Sequence, residues 1–391
     1  MAERNCALQS TAYRHLRSAF QEKHKAAAAL LKEGKKGVWM LGDEVPEEII
    51  LAAGMVPVRL WGKSGDRPHA DTYLEASFGA VWRGYFESLV SEETSRLIDH
   101  LVLSNSSDII QKLYYYLLQL KKIEPERHLP VPTYVDYWLA NRDFRSQERN
   151  WKETEKFLNQ METWANRRIS DKDLSEAIGL CNEHKGALRQ LSSLRYGKKS
   201  KITGSEALTI VGGSFYLDKK EAAKLIRSLV QEAQEWPETQ AVRCFYTGSL
   251  QDTPEVYLLM EEGGLNVVSE DKIFGDRYMD MDTDPSLSPL MAVSRRYHYR
   301  FPGSERSFTS DRAESLPRRA EETGAEGIVV FMNKNDESYI WDLPRQKKEL
   351  DKLGIKVLVI ENQKYPLDDK PGLLERFKAF AEEVKRGRDH A

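Results

Sequence analysis

The chain has 391 residues, 40% hydrophobic and 30% charged, and its 58 basic and 61 acidic side chains leave a net charge of −3. That length supports two or three domains with sizeable cores, and the near-neutral balance carries no footprint of a nucleic-acid partner. The most apolar early run, Ala26–Leu31, is far short of the roughly 20 residues of a membrane span, so neither a signal peptide nor a membrane-embedded segment is expected.

The first forty residues read as helical and end in the apolar "GVWML" at Gly37–Leu41, the first expected strand. In "GDEVPEEIILAAGMVPVRLWG", Pro46 suits a first helical turn, Glu47 and Glu48 favour its positive end, and Gly54 ends the helix before a strand over Met55–Leu60. A helix over Ser77–Leu89, a strand over His100–Leu103, a helix over Ile109–Leu120 and an extended Leu129–Trp138 follow. From Ser146 to Trp236 the pattern turns to long charged helices, Ile169–Leu194 showing apolar residues at helical spacing. Then come short β-branched runs at Ala241–Ser249, Leu265–Asp271, Gly327–Asn333 and Ile355–Glu361, separated by helical segments. This alternation predicts an α/β protein: two flavodoxin-like (Rossmann-like) parallel-sheet domains, residues 1–145 and 239–391, with a helical layer at 146–238 between them. Ligands in such folds bind beyond the carboxyl ends of the strands, which directs attention to Asn105–Asp108, Thr247–Asp252 and Asn333–Ser338.

No P-loop, no G-x-G-x-x-G after a strand, no H-E-x-x-H and no G-x-S-x-G is present. His184 reads as a surface or packed residue, and no histidine pair has zinc spacing. "DMDTD" at Asp280–Asp284 lacks the glycine and distal glutamate of an EF-hand loop and reads as a solvated loop. "TGSLQDTPE" offers two readings: an anion perch at a helix start involving Thr247 and Ser249, or a plain N-cap by Asp252 or Thr253. Cys6, Cys181 and Cys244 are widely separated without CxxC spacing; a reducing, cytoplasmic setting is the natural expectation.

"PEEIILAAGMVPVRLWG", "SSDIIQKLYYYL", "TGSLQDTPEVYLLMEEGGLNVVSED", "FGDRY" and "GIKVLVIE" together resemble the 2-hydroxyacyl-CoA dehydratase and benzoyl-CoA reductase family, most closely its smaller, benzoyl-CoA reductase C-like subunits. The resemblance spans nearly the whole chain in order. It implies heterodimers of homologous subunits, an acyl-CoA thioester bound near their interface, one iron–sulfur cluster per subunit held mainly by three cysteines, an ATP-hydrolysing activator that delivers a low-potential electron, lyase or reductase chemistry and anaerobic metabolism. Thiolates suit such clusters as soft anionic ligands.

The sequence departs from the family where that chemistry would sit. The resemblance places the three cysteines at Gly79 in "YLEASFGAVWR", at Ser107 ahead of Asp108, and at Asp336 in "NKNDESYIWDLP". None of the chain's own cysteines falls at these positions. Two functions follow as expectations, beside a third, a pure scaffold that binds no ligand. One is a cluster-free subunit with no cofactor of its own, paired with a homologue that holds any iron–sulfur cluster, and contributing interface and acyl-CoA pocket. The other is a repurposed non-redox acyl-CoA lyase, hydratase or mutase using the emptied cavity. Asp336, Ser107 and Glu48 are the candidate catalytic groups, and Gly42, Arg277, Thr247 and Ser249 the candidate substrate-binding ones. Each has a plain structural alternative: helix start for Glu48, helix cap for Ser107, turn for Asp336 and surface ion pair for Arg277.

Overall fold

A computed structural model describes residues 4–139, 143–303, 305–336 and 338–389. Within the Asn333–Ser338 strand end singled out above, Glu337 lies outside the described residues, as do the outermost residues of the two expected terminal domains.

Among the described residues, eight strands form two all-parallel sheets: β1 (Gly37–Leu41), β2 (Val56–Arg59), β3 (His100–Ser104) and β4 (Thr133–Val135) in the order β2-β1-β3-β4, and β5 (Val242–Gly248), β6 (Leu265–Glu270), β7 (Gly327–Asn333) and β8 (Lys356–Gln363) in the order β6-β5-β7-β8. The two orders are the same pattern, in which the chain leaves the central strand in one direction and then the other. That reversal leaves a crevice beyond the carboxyl ends of the two central strands of each sheet. Two flavodoxin-like domains are therefore present, as the alternating runs predicted.

Successive strand residues face opposite sides, and each sheet is buried on both. In the first, Trp39, Leu41, Leu101 and Leu103 pack on Phe86, Leu89, Leu113 and Leu117, while Val38, Met40 and Val102 pack on Ile49, Phe157, Ile178 and Tyr297. In the second, Cys244, Tyr246, Val329 and Phe331 belong to the largest core, and Phe245, Ile328 and Val330 face Leu316 and Leu350. The expected extended stretch Leu129–Trp138 shrinks to the three residues of β4. Pro130 and Pro132 have no N–H to donate to a ladder.

The helical stretch serves both sheets. Helices Phe144–Ala165 and Asp171–Ser193 contribute to the core over the first sheet, together with Pro289–His298 from the second half of the chain. Helices Gly204–Ser214 and Lys219–Ala233 join the N-terminal helix Thr11–Gln21 in the core of the second. Contact between Thr11–Gln21 and Gly204–Ser214 is close enough that a Cβ on Gly213 would lie 2.1 Å from the Leu16 carbonyl oxygen. Among the described residues, no helix is long and apolar enough to cross a membrane.

Gly213→Ala must push these two helices apart, since backbone cannot rotate out of the way. It is expected to cost about 1–3 kcal/mol in urea unfolding; an unchanged midpoint would show that the contact is not as tight as described.

Candidate functional site

The turn after β1 sets the site. Gly42 adopts φ +104, and a Cβ there would lie 2.2 Å from Ser104 Oγ, so the backbone needs glycine both for its dihedral and for the approach of the β3 end. Beyond it, the Asp43 amide donates to Ser106 Oγ at 2.7 Å and the Glu44 amide to Ser104 Oγ at 3.1 Å. Ser106 Oγ donates in turn to the Glu44 carboxylate. The loops after the two central strands are thereby joined by serine hydroxyls.

Four carboxylates, Asp43 and Glu44 from this turn and Glu47 and Glu48 from the start of the helix Glu47–Ala52, are paired with cations from elsewhere in the chain. Arg277, 1% exposed, donates from Nε to Asp43 Oδ2 at 2.9 Å and from Nη2 to Glu44. Glu47 lies 2.6 Å from Lys219 Nζ and accepts from Tyr278 OH at 2.8 Å. Glu48 accepts from Lys185 Nζ at 2.7 Å, Thr283 Oγ1 at 3.1 Å and Tyr297 OH at 3.1 Å. Burial alone would raise the Glu48 carboxyl, but Lys185 and Arg296 outweigh it and hold the group down to about 2. Glu47 is likewise depressed, burial being outweighed by Lys219 and Arg59.

The two sheets present their carboxyl ends to one another, and a cavity of ≈ 60 Å³ lies between them. From the first domain it is lined by Asp43, Ser106, Ser107 and Trp82, and from the second by Asp271, Lys272, Glu305, Asp336 and Tyr339, among others. Ser107 is the N-cap of the helix Asp108–Ile123, its Oγ accepting from the Ile110 amide at 3.3 Å. Asp336 follows the β7 end, where it accepts a hydrogen bond from Ser249. Burial raises the Asp336 carboxyl against the pull of Ser249 and Lys272. Glu305 is pushed up to about 7, by burial first and by the neighbouring Asp336 second.

The residues singled out in the sequence divide accordingly. Ser107 and Asp336 line the same cavity, and a Cβ on Gly79 would sit 3.1 Å from the Lys334 carbonyl and 3.9 Å from Asn335 Cβ, directly before Asp336. Two of the three positions that the resemblance assigns to cysteine thus share the cavity, and the third, Gly79, lies against the backbone that leads into Asp336. Thr247 donates to Asp271 at 2.8 Å, on the cavity wall, and Ser249 Oγ also accepts from the Asn333 amide at 2.8 Å. Glu48 does not line the cavity. It is enclosed in its ion pair, and Arg277 forms a buried rather than a surface one. The carbonyl of Gly42 accepts from Arg59 Nη1 at 3.0 Å.

Three plain readings need correction. The helix Glu255–Glu262 is capped by neither Asp252 nor Thr253: Pro254 is its N-cap, and the Asp252 carboxylate accepts instead from the Gly62 amide and the Tyr365 hydroxyl. The Ser249 amide is no free anion donor either, because it is bonded to the Phe331 carbonyl at 2.7 Å. "DMDTD" is only partly solvated, since Asp280 is buried against Arg296 and Arg300 and Thr283 is buried on Glu48. Lys272, Glu305 and Tyr339 went unnoticed in the sequence. Lys272 stands just past β6 and was accessible to the strand-end rule, whereas Glu305 lies in an irregular segment without any pattern.

The donors at the cavity do not match a thiolate-held cluster. Cys181 is fully buried in the helix Asp171–Ser193, its thiol pushed up to about 12 by burial and then by Glu48. Cys244 is in the middle of β5, its thiol raised by burial, and Cys6 is in the N-terminal helix Asn5–Gln9. Thiols held protonated in a core are poor metal ligands. Among the described residues, no group of three or more His, Cys, Asp or Glu side chains is arranged to hold a metal ion.

Two parallel sheets with their carboxyl ends toward one cavity define a two-domain α/β protein of flavodoxin-like build. Residues 44–384 match the 2-hydroxyglutaryl-CoA dehydratase, D-component family, and the chain belongs to it. It is 25% identical to the (R)-phenyllactyl-CoA dehydratase beta subunit of Clostridium sporogenes, over 84% of this chain and 86% of that one. Identity is 21% to the beta subunit of the (R)-2-hydroxyglutaryl-CoA dehydratase of Acidaminococcus fermentans, over 82% and 85%. It is also 21% to one of the subunits of the benzoyl-CoA reductase of Thauera aromatica, over 73% and 74%.

Removing the cation from the Glu48 pair leaves a buried charge unmatched. Lys185→Met is expected to cost about 3–5 kcal/mol in chemical denaturation, and adding Glu48→Gln should restore part of the loss; a neutral Lys185→Met would contradict the pairing. Because the folded carboxyl is depressed from 4.5 to about 2, its contribution is present above pH 4.5 and withdrawn as pH falls toward 2. The stability of Glu48→Gln should therefore depend less on pH across that window than that of the wild-type chain.

Proposed function

We propose that this chain is one subunit of a heteromeric 2-hydroxyacyl-CoA dehydratase or benzoyl-CoA reductase-like complex, that it holds no iron–sulfur cluster of its own, and that it supplies part of the subunit interface and of the acyl-CoA pocket. The supporting observation is that Ser107 and Asp336 line one inter-domain cavity, with Gly79 against the Lys334–Asn335 backbone that leads into Asp336, and that the cavity walls carry carboxylates, hydroxyls and an ammonium group instead of thiolates. Relatives named as beta subunits support a homologous partner, which would hold any cluster. A cytoplasmic location accords with cysteines that form no disulfide framework.

What the chain's own residues do in this reading is structural and positional. Ser107 caps its helix, Asp336 and Asp271 are oriented by Ser249 and Thr247, and the buried ion pairs of Asp43, Glu44, Glu47 and Glu48 fix the two sheet ends at one spacing. Chain purified without oxygen, alone and with its partner subunit, should contain no stoichiometric iron and sulfide when alone and show cluster absorption only in the complex. A full cluster in the isolated chain would contradict the reading.

The carboxyls at the cavity favour a second reading, a non-redox acyl-CoA lyase, hydratase or mutase. Asp336, raised by burial, would serve as acid or base. Turnover of an acyl-CoA under air that falls about 100-fold or more in Asp336→Ala would support it. Absence of turnover across a broad acyl-CoA panel would remove it.

A further inference from the structure

Lys272 is the one cation among the described residues that line the cavity, and its environment is unusual. The side chain is 7% exposed, and its ammonium lies 3.9 Å from the centre of the Tyr339 ring and 3.3 Å from Asp271 Oδ1. Yet Nζ makes no hydrogen bond, and neither does Asp271 Oδ1, whose sister oxygen is taken by Thr247. An ammonium carries three donors, and a buried donor left without an acceptor is costly. Two further donors line the same space. The Ser107 hydroxyl accepts from the Ile110 amide and has its own proton to give. Glu305, with its carboxyl near neutral pKa, presents an O–H when protonated.

The carboxylates nearby have other hydrogen-bond partners, Asp271 through one oxygen only, its other facing Lys272 at 3.3 Å. Asp43 is bonded to Arg277, Asp271 to Thr247 and Asp336 to Ser249. What converges on the ≈ 60 Å³ space is an ammonium that is ion-paired with Asp271 Oδ1 at 3.3 Å but makes no hydrogen bond, and two neutral donors. The inner part of the space has room for a group of a few heavy atoms.

We propose that this cavity is a binding site for a single carboxylate- or carbonyl-sized group, with Lys272 as its charged anchor and Ser107 and Glu305 as its neutral donors. The shared chemistry is an sp² oxygen acceptor, supplied either by a small free carboxylate or by the carbonyl end of an acyl thioester. The inference rests on the cluster-free reading of the same cavity.

Glu305 gives the site a pH signature. The groups that face it are Asp336, Lys272, Ser338 and, from the first domain, Asp108, with Asp43 and Asp271 across the cavity. A carboxylate ligand would bind the form with Glu305 protonated. Affinity then falls as pH rises through about 7, by about tenfold between pH 6 and pH 8.

Calorimetric titration of the full chain with sodium acetate, at pH 6 and pH 8, tests this, with acetyl-CoA as the second probe. Acetate binding that weakens with pH, loses about tenfold or more in Lys272→Met and becomes pH-independent in Glu305→Gln supports the site. Competition between acetate and acetyl-CoA assigns it to the acyl carbonyl; acetate binding without competition assigns it to a free carboxylate. Should Lys272→Met fail to fold, the loss of pH dependence in Glu305→Gln decides. Wild-type chain that binds neither probe at millimolar concentration, or Lys272→Met that folds and binds acetate unchanged, overturns the proposal. Iron analysis of the same sample keeps the two readings apart: iron found there fails the cluster-free reading, and absent binding in an iron-free sample fails this one.

Discussion

Asp43, Glu44, Glu47 and Glu48, four carboxylates in the loop and first helical turn after the first strand, are all withdrawn from solvent or nearly so, and are matched by three cations from other parts of the chain, Arg277 serving both Asp43 and Glu44. Arg277 comes from the second domain, and Lys185 and Lys219 from two of the long helices. Taking such charges out of water costs several kcal/mol per ion, and their mutual attraction in a dry interior does little more than offset it. What the arrangement supplies is specificity. Only one relative placement of the two sheets and the helices satisfies every pair, and any slip leaves a buried charge alone.

That placement sets the carboxyl ends of the sheets face to face. In either domain alone, the strand-order reversal would open an ordinary crevice; with the two opposed, residues from both domains line one small space. Its chemistry then follows from burial. Asp336 and Glu305 are raised because charge is disfavoured there, while Lys272 is kept among carboxylates and against an aromatic ring. Charges that fix the frame and charges that line the cavity are separate sets, joined at Asp43, which belongs to both.

Strand positions were legible in the sequence because parallel strands buried on both faces must be short apolar β-branched runs, as in "GVWML" and "GIVVFMN". Ser107 and Asp336 were legible as strand-end residues, and their convergence follows from the topology. The charge network was not. Glu47 and Glu48 look the same whether they favour a helix start in water or are enclosed by lysines from residues 185 and 219, because pairing across such separations leaves no local pattern. Asp252 misled for the opposite reason: a good capping residue in the right place was drawn away by Tyr365. Lys272 and Glu305 acquire their significance only from what surrounds them.

The central proposal is that Gly79, Ser107 and Asp336 stand where relatives would place a cluster's thiolates, in a frame held by buried charge. Its most direct test is to restore the thiolates together, as Gly79→Cys, Ser107→Cys and Asp336→Cys in one chain, and to measure iron and sulfide uptake on anaerobic reconstitution beside the wild-type chain. The account predicts stoichiometric uptake with cluster absorption in the triple variant and none in the wild type. A folded triple variant that takes up no iron, or a wild-type chain that takes up as much, would contradict it.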